Sequence, residues 1–209
     1  MTNTSGTLVE LDRLDEAARS ILFTRGRTAN TFSSRPVTSE QLREIYELAK
    51  WGPTWANTGP LRVVYVESPA GKERLLNHLQ PMNTAKAASA PVNAVLAVLA
   101  VDNRYHDHIP QLLPFRPEMR EMFEQNDALR TRVRDFGGAM QAAYFIMSVR
   151  AAGLAAGPMG GFDQAGLDAD FFPDGEWSSI LVVNIGHPGE NAWFDRLPRL
   201  AYEDAVRHL

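Results

Sequence analysis

The sequence predicts an α+β fold in a single domain spanning 1–209, and three observations predict it. Stretches with apolar residues at helical spacing outnumber the short β-branched runs. Those runs do not alternate regularly with the helices, as the strands of a doubly wound parallel sheet would. The content of 44% hydrophobic and 22% charged residues over 209 positions is that of a chain with a substantial core. It has no internal repeat or low-complexity tract that would suggest a solenoid or a linker.

Leu11, Leu14, Ala18, Ile21 and Leu22 recur at helical spacing and predict a first helix running to about Thr24 and stopping near Gly26. An irregular "RGRTANTF" follows. "VTSEQLREIYELAKWGP" opens on Thr38 and Gln41 as a capping box, carries Leu42, Ile45, Tyr46 and Ala49 on one buried face, and ends at Gly52-Pro53. "RVVYVES" is β-branched and predicts a strand; Ser68 and Pro69 then read as cap and first residue of a helix through Leu79. A second short helix is expected over Asn83 to Ala90. After Pro91, "VNAVLAVLAV" is too apolar for an exposed strand and predicts a central one. Residues 102–125, broken by prolines and histidines in "DNRYHDHIPQLLPFRP" before a further helix, read as an excursion inserted off the main core, of the kind that often covers a site. From 126 to 152 a helical pattern begins charged and turns apolar on nearly all faces after Gly137, so its second half is expected to be buried. "GLAAGPMGGFD" at 153–163 reads as a helix stop and a loop, Asp163 as the cap of another short helix, and "SSILVVNIGHPG" as a last strand before the tail.

Composition excludes several classes of function. With 21 basic against 25 acidic residues and a net charge of −4, no global basic field favours nucleic acid. The absence of cysteine removes disulfides, thiolate nucleophiles and cysteine-ligated metals, so redox chemistry has to borrow a cofactor. No basic start leads into an apolar run, which makes a cytoplasmic location the expectation. "PVNAVLAVLAV" and "AMQAAYFIMSV" are each about half of the roughly 20 residues a membrane span needs and read as core. His106 and His108 flank Asp107, but this spacing fits a solvated loop better than a metal site, and no metal is expected. Neither a nucleophile elbow, a P-loop nor a G-x-G-x-x-G after a strand is present.

The stretch 157–161, bare of large polar side chains, has two readings: a tight turn, or a backbone cradle for a flat ligand. It gains meaning beside four other stretches: "RTANTF" at 27–32, "GPTWANTGPLR" at 52–62, "NTAK" at 83–86 and "RLPR" at 196–199. In this order, with "PMGGFD" at 158–163 between the last two, they resemble the motifs of the FMN-dependent nitroreductase family, and the resemblance covers almost the whole chain. Within the family, "LREIYELAKWGPTWAN", "MQAAYFI", "GPMGGFD" and "DRLPRL" are most similar to the malonic semialdehyde reductases of pyrimidine breakdown, also called 3-hydroxypropionate dehydrogenases. The resemblance implies a nitroreductase-like, mostly antiparallel central sheet flanked by helices. It also implies FMN as cofactor, NAD(P)H as co-substrate, a small aldehyde as acceptor, and a homodimer whose two active sites are each built from both chains.

The same resemblance implies a set of cofactor-binding residues. Arg27, Thr28 and Arg196 match phosphate-binding positions, with Arg25 and Arg199 as helpers; guanidinium forks suit a phosphate dianion. A lone arginine is ordinarily a solvated charge, and the paired hydroxyl and turn context weigh against that for Arg27 and Arg196. Asn83 and Lys86 match an Asn-x-x-Lys that meets the pyrimidine edge of the flavin, and their spacing puts them on one helical face. Pro53, Thr54, Asn57 and Pro60 match the second loop. Pro158, Met159, Gly160 and Gly161 match a stretch that lies along the ring, where side chains would block stacking. Departures from the family pattern are Asn30 in place of a second basic residue, Trp55 of a Ser, Gly59 of a Gln and Phe194 of a Lys, which makes the pockets less positive. No catalytic residue is assigned; Arg116, Arg120, His106 and His108 are candidates to clamp a substrate carboxylate. Two alternatives stand beside the aldehyde reductase: a broad reductase of nitroaromatics, quinones or enones, and a non-catalytic flavin carrier.

Overall fold

The computed structural model describes residues 12–91 and 93–209. Helix α1 (Glu16–Arg19), capped by Asp15, passes directly into a π-helical turn, Ser20–Thr24. This matches the expected end of the first helix, although Leu11 lies outside the described residues and Leu14 and Ile21 are exposed. α2 (Ser39–Ala49) carries the full Thr38/Gln41 capping box. Its buried face is Leu42, Ile45 and Ala49; Tyr46, expected on that face, is exposed. A 3₁₀ turn at Trp55–Asn57 leads to β1 (Leu61–Val66). α3 (Pro69–Leu76) has Ser68 as its cap and stops three residues short of Leu79, while α4 (Pro81–Ala88) starts two residues early because Pro81 takes the first helical turn.

β2 (Val95–Asp102) is buried throughout. The excursion holds a 3₁₀ turn at Tyr105–His108, then α5 (Ile109–Leu112) and α6 (Met119–Glu124). Its Tyr105, Ile109 and Phe123 form a small core with Val133 of the helix that follows. α7 (Asp127–Ala151), β3 (Ala155–Met159), α8 (Gln164–Phe171), β4 (Trp177–Gly186) and α9 (Tyr202–Ala205) follow.

Among the described residues the four strands form one sheet in the order β1-β2-β4-β3, every pair antiparallel. Alternation along β2 sorts the core into two layers. Val95, Ala97 and Leu99 face Leu42, Ile45, Phe145 and Val149 of α2 and α7. Leu96, Val98 and Ala100 face Leu75, Ala87 and Leu167 of α3, α4 and α8. A strand covered on both faces has no polar side to show, which explains its unbroken apolar sequence.

Two expectations need correction. The segment 153–163 is not all loop: Gly153 ends α7 in a left-handed conformation, φ +74°, and residues 155–159 then pair with β4. Pro158 is tolerated because β3 is the sheet's edge. The second half of α7 is also not buried all round; Gln141, Ala142, Phe145 and Val149 are, whereas Ala143 and Tyr144 are exposed. No helix among the described residues is long and apolar enough to cross a membrane.

Candidate functional site

The first loop, "RGRTANTF" at 25–32, is seated on the outer edge of β3. Ala29 donates its backbone N–H to the Ala156 carbonyl at 2.9 Å, and Asn30 donates to Ala192 at 3.0 Å. Gly157 permits this approach, since a Cβ there would stand 2.8 Å from the Ala29 carbonyl oxygen. The tail returns to the same place. Arg27 Nη1 donates to the Phe194 carbonyl at 2.9 Å and its guanidinium lies 5.9 Å from the Trp193 ring centre. Arg196 Nη2 donates to the carbonyls of Thr24 and Gly26. The chain at Thr24, Gly26 and Arg27 and the tail at Phe194 and Arg196, about 170 residues apart, are thus in direct contact. Thr28 is exposed beside them, and Asn30 turns its amide nitrogen toward the Thr28 and Ala192 carbonyls, leaving a buried Oδ1 without a partner among the described residues. Arg199 is not drawn in; it donates to its neighbours Leu197 and Pro198.

A cavity of about 370 Å³ opens here, lined by Arg25, Arg27, Arg150, Ala155 and Trp193 among others. None of Arg25, Arg27, Arg150 and Arg196 has a carboxylate partner among the described residues. Arg150 was not among the residues expected from the sequence. A single arginine in the last turn of a helix reads as a charge favoured by the helix dipole, and its position against the first loop is a tertiary fact.

The "NTAK" and "PMGGFD" stretches also meet. Asn83 Nδ2 donates to the Gly161 carbonyl at 2.8 Å, the Gln80 N–H donates to the same oxygen at 3.1 Å, and Leu79 bridges to Phe162. Lys86 follows Asn83 on one face of α4, half-buried and with no side-chain partner among the described residues. The glycines of this stretch differ. A Cβ at Gly161 would stand 2.5 Å from Gln80 Oε1 and 2.8 Å from Asn83 Nδ2, so the space beside it is already taken by two side-chain amides. A Cβ at Gly160 would meet nothing within 4 Å. Gly160 faces a cavity of about 780 Å³ whose walls include Ala139, Ala142 and Ile146 of α7 and Phe162 and Gln164. Met159 is 4% exposed and its side chain packs in the core beneath α8, so backbone is what this residue offers. Pro158 lies in β3, opposite Val183.

The second loop is elsewhere. Pro53, Thr54 and Asn57 lead into β1, whereas the other four stretches gather around β3, three strand spacings or about 14 Å across the sheet. Thr54 Oγ1 accepts from the Gly59 N–H at 3.1 Å. Ala56 and Asn57 both hold φ +52°, a conformation that costs energy for alanine and is over-represented where loops meet ligands. The excursion packs on this loop: Asn57 Nδ2 donates to the Leu112 carbonyl at 2.8 Å, and Trp55 meets Phe123 edge-on at 5.6 Å.

Of the four excursion residues considered as clamps, one lines a cavity with the second loop. His108 borders a space of about 760 Å³ together with Asn57, Gly59 and Arg62, and its Nε2 lies 3.5 Å from Asp102. Arg116 is paired with Glu118, and Arg120 with Asp107 at 2.6 Å. His106 is 1% exposed, not solvated as expected, with Nε2 2.8 Å from Glu124. That hydrogen bond, with the charges of Arg104 and Arg120, holds the Glu124 carboxyl below its ordinary value. His106, Asp107 and Glu124 could gather around a cation, but the two arginines already occupy both carboxylates.

Comparison with known proteins accords with this geometry. The model of the nitroreductase family matches residues 25–187. A protein of Streptomyces coelicolor, named as a candidate NADH dehydrogenase/NAD(P)H nitroreductase, is 56% identical over 196 residues, which cover 94% of this chain and 96% of that protein. Among solved structures, a candidate nitroreductase of Exiguobacterium sibiricum in complex with FMN superposes with a TM-score of 0.78 at 17% identity, covering 99% of this chain and all of the other. An enone reductase of gut-bacterial fatty acid saturation gives 0.77 at 13% identity, with 93% and 99% covered. The solved structures establish the fold, and the family match and the close relative establish descent: the chain belongs to the nitroreductase family.

Proposed function

We propose that this protein is an FMN-dependent oxidoreductase that uses NAD(P)H to reduce a small aldehyde, malonic semialdehyde to 3-hydroxypropionate being the reaction its motifs resemble most. The observation that carries the flavin reading is the pairing of two features along β3: arginines without carboxylate partners among the described residues at one end, and unobstructed backbone at Gly160 at the other. The first suits a phosphate dianion, which guanidinium groups bind through charge-assisted hydrogen bonds. The second, walled by small side chains of α7, suits a flat ring. The buried, unpartnered Asn30 Oδ1 is an acceptor ready for a hydroxyl of the sugar-alcohol chain.

In this reading Arg27, Thr28 and Arg196 hold the phosphate. Asn83 and Lys86 meet the pyrimidine edge, where a cation lowers the cost of negative charge, and the backbone of 158–161 lies along the ring. Arg199, turned to its own neighbours, is left out. Bound FMN supplies the relay that accepts hydride from NAD(P)H and delivers it to the acceptor. Pro53, Thr54 and Asn57, at the far edge of the sheet, complete a site through a second copy of the chain; the exposed Phe136 and Tyr144 of α7 are apolar surface for that contact.

Titrating apo-protein with FMN tests the core of the proposal: binding is expected to saturate in the micromolar range, and none at high micromolar flavin would rule it out. NADPH and NADH oxidation with malonic semialdehyde against a nitroarene then tests the acceptor, faster turnover of the nitroarene favouring the broad reductase. A yellow protein that neither nucleotide bleaches anaerobically would leave a flavin carrier.

A further inference from the structure

We propose that Arg150 is a further guanidinium of the phosphate site, and that it sets the preference for a phosphate ester over a flavin ending in a hydroxyl. The inference rests on the flavin reading above. Arg150 stands in the last turn of α7, yet its Nη1 does not serve only its own helix: it donates to the Leu22 carbonyl, 128 residues away, at 2.9 Å and approaches Met147 Sδ at 3.7 Å. Its Nε and Nη2 donors have no acceptor among the described residues, and the side chain lines the same cavity as Arg25 and Arg27. The first loop is laid directly over it. A Cβ at Gly26 would be 2.5 Å from the Arg150 guanidinium carbon, so a side chain there would push the guanidinium out of this position.

Burial, and then the neighbouring charge of Arg196, make the charged form of Arg150 harder to hold than in water. A half-buried cation beside another cation, with free donors aimed into a cavity, is an arrangement that a bound dianion relieves. A tie to a helix end would need one donor and no cavity. Arg150 does both: it anchors the π-helical turn through Nη1 and presents its remaining N–H groups where the phosphate of the cofactor would lie.

The test is the affinity of apo-protein for FMN and for riboflavin, which lacks the phosphate, in the wild type and in Arg150→Gln, with thermal melts as a control for folding. Arg150→Gln is expected to lose at least tenfold in FMN affinity, the scale of one charge-assisted hydrogen bond, and to bind riboflavin as before. Stabilisation of the apo-protein by millimolar inorganic phosphate should shrink in parallel. Arg150→Lys, which keeps the charge and loses the fork, is expected to lose severalfold for FMN alone and serves if the glutamine variant does not fold. An unchanged ratio of FMN to riboflavin affinity in both variants would reduce Arg150 to a structural tie. A wild type that binds neither flavin would overturn the flavin reading itself.

Discussion

Gly157→Ala perturbs the contact on which the first loop depends, and its cost can be worked from the structure. The new Cβ would stand 2.8 Å from the Ala29 carbonyl oxygen, with Asn184 Cβ at 3.3 Å and Phe32 Cζ at 3.4 Å. The first of these is backbone and cannot rotate aside, so the loop must retreat from β3 by about half an ångström to restore ordinary contact. Overpacking of this kind costs about 1–3 kcal/mol. The retreat also stretches the Ala29–Ala156 hydrogen bond, whose loss is worth about 1 kcal/mol. A total of about 2–4 kcal/mol corresponds to a fall in Tm of roughly 4–16 °C for a chain of this size. Calorimetry of Gly157→Ala beside Gly160→Ala is the assay. The second variant meets open space, and its Tm should stay within the small scatter of neutral surface changes. Equal melting temperatures for the two would refute the reasoning, since it assigns them different neighbours and nothing else.

The remaining expectations are smaller in scope. Gly160→Val should fold normally and lose FMN binding by filling the space along the proposed ring site; a variant that titrates with flavin like the wild type would show that the ring lies elsewhere. Asp102→Ala removes the carboxylate that pairs with Arg62 and accepts from the Arg104 N–H. Discounted for partial exposure, the loss should be about 2–3 kcal/mol in urea denaturation. Burial, and then the charge of Arg35, hold the His187 imidazole below its ordinary 6.5. The unfolded chain therefore takes up the proton first, so stability is full above about pH 6.5 and falls as the pH drops through that value. His187→Gln should flatten this part of the pH–stability curve, and an unaltered slope would count against it. Thr38→Ala removes the cap of α2 and should cost about 1 kcal/mol, seen as a shift of the urea midpoint without a change of slope.

Some of this architecture could be read before any coordinates. The central position of β2 followed from its apolar run, and the Thr38, Ser68 and Asp163 caps from side-chain chemistry that acts over three or four residues. β3 escaped notice for a physical reason: "AAGPM" has no β-branched residue, and what makes it a strand is backbone pairing with β4 and the seat it offers Ala29. Motif order indicated which stretches belong together: "NTAK" meets "PMGGFD", and the first loop and the tail touch beside "RTANTF" and "RLPR". Their distance from the second loop was hidden, because spacing along a chain does not encode the order of strands in a sheet. Tyr46 was placed on the wrong side by a periodicity that held for its neighbours.

The π-helical turn at Ser20–Thr24 has a consequence for how the protein tolerates change. It ends in carbonyls that are met by guanidinium groups from two distant segments, Leu22 by Arg150 and Thr24 by Arg196. A substitution at Ile21 or Phe23 leaves those oxygens where they are. Deleting one residue would restore a regular α-helix and rotate the residues before the deletion by about 100° relative to those after it. The first loop is therefore far more sensitive to the length of this segment than to its composition.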